Sequence, residues 1–213
     1  MLCLVAGLVV LTGCRASGSQ AFTTQTTVPQ APVVTAPALP SAPPPAPISF
    51  TGEVFHLHTA GKVPPGVQEA ARAGVLDTLN RYLEAAVLRP LRSGGPAGDL
   101  TPLFTRPAVD RVMTVGADRF AFIDENLPPV SDVRAESAVA GLNALAGPDG
   151  TVSVVTAGLD LRLIGHIDGA LVRVTRTGEL VLMPEGGTWR IDAYDIEVTR
   201  TLADDTTTTT VRS

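Results

Sequence analysis

Residues 151–166 read "TVSVVTAGLDLRLIGH", and their alternation decides the fold class. Val155, Ala157, Leu159, Leu161 and Leu163 fall on one side of an extended chain, and Thr156, Asp160 and Arg162 on the other. Period-two alternation of this kind marks a strand with one face buried and one in water. Segments 131–145, 169–183 and 188–202 have similar length and are rich in Val, Leu, Ile and Thr. "AGPDG", "HIDG" and "PEGG" stand between the segments, each a turn signal. Strands joined by such short turns pair antiparallel. In the last segment Trp189, Ile191 and Ala193 share one parity, whereas Ile196 and Val198 take the other. A bulge near Tyr194 and Asp195 is expected to restore the register and bend the strand.

Upstream of these segments the period changes. Val75, Leu79, Tyr82, Leu83 and Ala86 form one apolar stripe at helical spacing within Val67–Leu91. Arg72, Asp77, Arg81, Glu84 and Arg89 lie mostly off it, and Asp77 and Arg81 make an i, i+4 pair. Ser93-Gly94-Gly95-Pro96 stops this helix. A short helix is predicted from Thr101, with Pro102 at its first position and Leu103 and Phe104 facing in. Another follows Gly116, where Phe120, Ile123 and Leu127 recur before Pro128-Pro129. "ISFTGEVFHLH" (48–58) alternates as a short strand and is broken by Pro64-Pro65-Gly66. Helices first and then strands at hairpin spacing predict an α+β domain, with helices on one face of an antiparallel sheet.

A long first helix, two short helices and a curved antiparallel sheet of four or more strands resemble the NTF2-like, or cystatin-like, cone over residues 64–202. The ending "GGTWRIDAYDIEVTR" (186–200) is similar to the closing strand of that superfamily, where Gly-x-Trp after a hairpin begins the strand. It also looks like the domains of actinobacterial envelope proteins, including those associated with Mce lipid-import systems. The resemblance implies a pocket between the first helix and the concave sheet. Tyr82, Phe104, Phe120, Trp189 and Tyr194 are the residues expected to line it. Enzymes of this fold place a carboxylate base and a hydrogen-bonding Tyr or acid in that pocket. Tyr82 is the residue placed to donate, with Asp195, Asp124 or Glu125 as the carboxylate. None of these stands in a motif, so no catalytic residue is assigned.

The first residues carry an address. "MLCLVAGLVV" (1–10) has the length of a signal-peptide apolar core and is too short to span a bilayer. Leu11-Thr12-Gly13-Cys14 resembles the bacterial lipobox. The resemblance implies a diacylglyceryl group on the Cys14 thiol, cleavage just before it, and acyl chains that hold the protein at the extracytoplasmic face of the cell membrane. No Lys or Arg precedes Arg15, whereas signal peptides open on positive charge, so the expected start lies upstream of Met1. From Arg15 to Pro47 the chain is rich in Thr, Pro and Ala, a composition that buries too little apolar area to fold. At about 3.1 Å per residue such a tether reaches roughly 100 Å. The expected organisation is a signal peptide (1–13), a lipidated tether (14–50), the α+β domain (51–203) and a Thr-rich disordered tail (204–213).

Composition removes other classes. The net charge is −5 and no Lys/Arg run occurs, so nucleic acid is not an expected partner. Both cysteines, Cys3 and Cys14, precede the domain, which leaves it without thiol chemistry. His56 and His58 share one face of a strand, but no further ligand type stands nearby, and neither metal nor cofactor is expected. Asp149-Gly150 reads as a β-turn rather than a calcium loop. Arg173, Arg176, Asp192 and Asp195 read as cross-strand charges on an exposed face. The expected role is a non-catalytic binding or accessory module in the envelope, for a lipid-like ligand or a partner protein. The alternatives are a cone-type enzyme using Tyr82 and a structural protein that dimerises through its open sheet. An inward carboxylate near Tyr82 in a closed pocket distinguishes the enzyme, a wholly apolar pocket the lipid binder, and a filled interior the scaffold.

Overall fold

The computed structural model describes residues 46–114, 116–125, 127–203 and 208–213. The signal peptide, Cys14 and most of the tether lie outside the described residues. Residues Pro45–Ser213 form one contact unit. Its elements run β1 (Thr51–Thr59), α1 (Pro65–Tyr82), a π-helical turn (Leu83–Leu88), α2 (Arg89–Ser93), a 3-10 turn (Thr101–Leu103), α3 (Arg106–Met113) and α4 (Ala117–Phe122). Then come β2 (Ser131–Ala146), β3 (Val152–Ile167), β4 (Ala170–Glu185), β5 (Thr188–Leu202) and β6 (Thr208–Arg212). The fold is α+β, with an open six-stranded sheet in the order β1-β2-β3-β4-β5-β6.

The four long strands follow the alternation and the turn signals. Asp168 and Gly169 at one hairpin, and Gly186 and Gly187 at another, have positive φ, the backbone that two-residue turns between twisted strands require. At the β2–β3 turn Gly150 is left-handed, and the Asp149 carboxylate accepts from the Thr151 amide at 3.1 Å and its hydroxyl at 2.9 Å.

The sheet departs from the expected one in three ways. It is mixed rather than antiparallel, because β1 pairs parallel to β2; the helices between them form the crossover that parallel pairing needs. Residues Thr208–Arg212, expected within a disordered tail, pair with β5 as β6. The bulge in β5 falls at Asp192, where the register shifts between Leu182↔Ile191 and Val181↔Ala193, and not at Tyr194–Asp195. Ala193 therefore turns away from the face of Ile191, while Tyr194, Ile196 and Val198 turn toward it. Gly178 faces Ile196 across this bend with φ +135, and a Cβ there would lie 2.0 Å from the Asp195 carbonyl oxygen.

The first helix runs longer than its stripe. Val75, Leu79, Tyr82, Leu83 and Ala86 are all fully buried. At Glu84 the pattern widens by one residue, the Arg89 amide bonding to the Glu84 carbonyl. A π-turn leaves a carbonyl without its usual partner, and loops use those oxygens here. Ala85 O accepts from Gly98 N at 2.8 Å and Ala86 O from Asp124 N at 3.0 Å. The two short helices expected after it become three pieces. The one at Thr101 is a single 3-10 turn, α3 was not anticipated, and α4 ends at Phe122 rather than reaching Pro128. Ile123 is already extended, so Leu127 is not part of the helical repeat.

Candidate functional site

Tyr82 ends α1 on its buried stripe and opens an aromatic cluster. Its ring meets Phe122 edge-on at 5.6 Å and Phe104 at 6.4 Å; Phe104 and Phe122 are 5.6 Å apart, and Tyr194 lies 4.5 Å from Phe122. Tyr82, Phe104 and Phe122 are fully buried. The Tyr82 hydroxyl donates to the Phe122 carbonyl at 3.1 Å. Burial pushes its pKa up to about 12, against the pull of Arg176. Phe120, expected among the lining aromatics, is 48% exposed on α4. Phe122, two residues on, takes the inward place.

Behind the cluster sits a buried charge group. The α4 helix ends one residue before Ile123, and the amide bond to Ala86 O then pins Asp124 at the widened turn of the long helix. Asp124 is fully buried. Its Oδ2 accepts from Arg176 Nη2 at 3.1 Å, and its Oδ1 accepts from Arg200 Nε at 2.8 Å and from Arg200 Nη2. Arg176 Nε also donates to the Ala121 carbonyl at 3.1 Å, and Arg200 Nη2 to the Phe120 carbonyl at 3.0 Å. Arg176, expected on an exposed face, is 0% exposed. The reason is parity: Val172, Val174 and Arg176 all point to the buried side of β4.

The remaining candidates disperse. Asp195 lies on the outer face, paired with Arg212 at 3.0 Å, whose guanidinium holds its carboxyl below the usual range. Glu125 is taken by Arg119 at 2.6 and 2.8 Å. Arg173 meets Glu136 at 3.4 Å on the solvated side. Asp192 accepts from the Thr105 hydroxyl at 2.8 Å, tying the start of α3 to the bulge. Tyr194 is at the rim, its hydroxyl donating to Asp118 at 2.8 Å with the Arg111 guanidinium 5.4 Å from its ring centre. His56 and His58 are exposed on β1. Among the described residues no group of three or more His, Cys, Asp or Glu is placed to hold a metal.

Two of the surface recesses border the expected residues or the buried charge group. A groove of about 630 Å³ runs between α1 and the hairpin tip, lined by Ala70, Gly74, Asp77, Arg81, Thr188 and Trp189 among others. Trp189 packs flush on Gly74, where a Cβ would stand 2.6 Å from its ring, and the Thr78 hydroxyl donates to its carbonyl at 2.8 Å. A cleft of about 280 Å³ opens below the buried charges, with Leu91, Val130, Ile167, Val172, Val174, Leu202 and Arg200 in its lining. Of the five expected lining residues, Tyr82 and Phe104 are in the closed core, Tyr194 is at its rim, Trp189 borders the groove, and Phe120 is outside.

One half of the enzyme arrangement is present and the other is not. Asp124 is an inward carboxylate beside Tyr82, but aromatic rings fill the space around the pair. Both are already committed, Tyr82 as a donor to a backbone carbonyl and Asp124 as an acceptor from two guanidiniums. A general base needs a free lone pair within reach of a substrate proton. Compared with protein-family models, with curated proteins and with solved structures, the chain matches none.

Proposed function

We propose that this protein is a lipid-anchored extracytoplasmic lipoprotein whose cone-like, NTF2-like domain serves the cell envelope as a non-catalytic binding or accessory module, working through its surface. The observation that carries the non-catalytic reading is the filled interior, in which the Tyr82 hydroxyl is spent on the Phe122 carbonyl and the Asp124 carboxylate on two guanidiniums. The groove beside Trp189 and the cleft beside Arg200 are places where a ligand or partner can sit. The anchor reading rests on Leu11-Thr12-Gly13-Cys14 after an apolar run, and the tether on the Pro- and Thr-rich stretch that follows. The cone reading rests on the long helix packed against one face of the sheet and on the Gly-x-Trp start of β5.

Two measurements test this. Replacing Cys14→Ser should abolish palmitate labelling and move the protein from the membrane to the soluble fraction; persistent membrane binding sinks the anchor. A Tyr82→Phe variant that still folds should complement a deletion strain as well as the parent. Failure of that folded variant to complement points instead to the enzyme.

A further inference from the structure

The buried charge group does not balance. Asp124 carries one negative charge between two guanidiniums, and the flanking partners are neutral carbonyls of Phe120 and Ala121. Arg176 Nη1 is buried with no hydrogen-bond partner among the described residues. Arg200 spends Nε and Nη2 on Asp124 and Phe120, and its Nη1 is in none of these bonds. A buried cation without its counter-charge is costly, and the favoured remedy is an anion held by hydrogen bonds.

The sheet shows where that anion enters. On the inward face of β4 and β5 the facing pairs are Val172 with Leu202, Val174 with Arg200, and Arg176 with Val198. Successive pairs on one face stand roughly 6.5 Å apart. The surface thus passes from one apolar rung to two rungs that each carry one guanidinium. The first two rungs line the cleft, and among the described residues Arg200 is the charged side chain in its lining. At about 280 Å³ the cleft sits just below the range of roughly 300–1,000 Å³ usual for small-molecule sites. That admits a short chain, not a whole lipid.

We propose that this cleft binds an amphiphile with one carboxylate head and a short apolar chain, the head on Arg200 and the chain along Val172, Ile167 and Leu202. A carboxylate, like a phosphate, accepts a charge-assisted hydrogen bond from a guanidinium, and the carboxylate is the smaller of the two for so small a cleft. The proposal rests on the reading of the domain as a binding module and names the chemistry it binds.

The test is calorimetric titration of the full chain carrying Cys14→Ser, whose own anchor then cannot fill the cleft. Octanoate is the probe; octanol, acetate and octyl phosphate are the comparators. Octanoate should bind at least tenfold tighter than octanol, which lacks the charge, and than acetate, which lacks the chain. Arg200→Lys should weaken octanoate at least tenfold. Leu202→Asp, at a half-exposed rim position away from the charge group, should abolish binding while leaving the fold intact. Octanoate binding no tighter than octanol, or unchanged by Leu202→Asp, overturns the proposal. Octyl phosphate binding tighter than octanoate overturns the carboxylate head. None of these outcomes touches the membrane-release result for Cys14→Ser, so the two readings fail separately.

Discussion

Strand β5 carries an arginine–aspartate contact on each face, and the two have little in common beyond their chemistry. On the inner face Arg200 joins Arg176 on Asp124, with Asp124 and Arg176 sealed from water. On the outer face Asp195 meets Arg212 with both side chains more than half exposed. Water screens the outer pair and competes for its hydrogen bonds, so it contributes almost nothing to stability. Around Asp124 and Arg176 there is no such competitor. Both were stripped of water on folding, and each depends on its partners to offset that cost. Identical residue types are thus a surface decoration in one place and a structural dependency in the other.

The sharpest way to break the contrast is Asp124→Ala, which strands two guanidiniums in the core. We expect a loss of about 3–5 kcal/mol in urea unfolding. The triple variant Asp124→Leu, Arg176→Met and Arg200→Met should recover much of it, because removing all three charges together removes the cost of burying them. Gly178→Ala, where β4 passes between the two sites, forces a Cβ against the Asp195 carbonyl at a positive φ and should cost about 3 kcal/mol by the same assay. Tyr82→Phe removes a donor and leaves the buried Phe122 carbonyl unpaired, a loss of about 1–3 kcal/mol.

That substitution also has a pH signature. Burial makes Tyr82 hold its proton to about pH 12 in the fold, against the ordinary tyrosine value of 10.0. A raised folded pKa gives stability that is complete below the unfolded pKa and is lost as pH rises through the folded one. Between pH 10 and 12 the parent should therefore lose stability that Tyr82→Phe, starting lower, does not lose. Parallel curves for the two proteins would show that the hydroxyl is not held as described. The smallest effect belongs to the outer pair: Asp195→Ala should leave the unfolding midpoint unchanged within error, at low and high salt alike.

The inner group also marks where reading the sequence stops. The four long strands, their turns and the helical stripe through Tyr82 are legible because each is a local period. The burial of Arg176 was legible too, since it shares parity with Val172 and Val174. Grouping it with Arg173 by charge hid that signal. The position of Asp124 was not legible. It depends on a helix ending at Phe122, on a widened turn 38 residues earlier offering its Ala86 carbonyl, and on two strands that follow. No local pattern writes a contact among four separate elements. The bulge was legible in kind but three residues misplaced, because the parity change between Ile191 and Ile196 fits a bulge anywhere between them. β6 was missed because a run of threonines reads equally as strand and as tail.

The parallel seam between β1 and β2 sets an order of assembly. Each of β2, β3 and β4 meets the next strand through a short turn, so those contacts close over short loops. β1 must wait for a strand that begins after all the helices, Thr51 facing Val139. Closing so long a loop is slow, and it is rewarded only once the rest of the sheet exists to receive the strand. Of the six described strands, the one synthesised first is then the last to find its place. Pulse-labelled hydrogen exchange should show the amides of β3 and β4 protected well before those of Phe55 and Leu57.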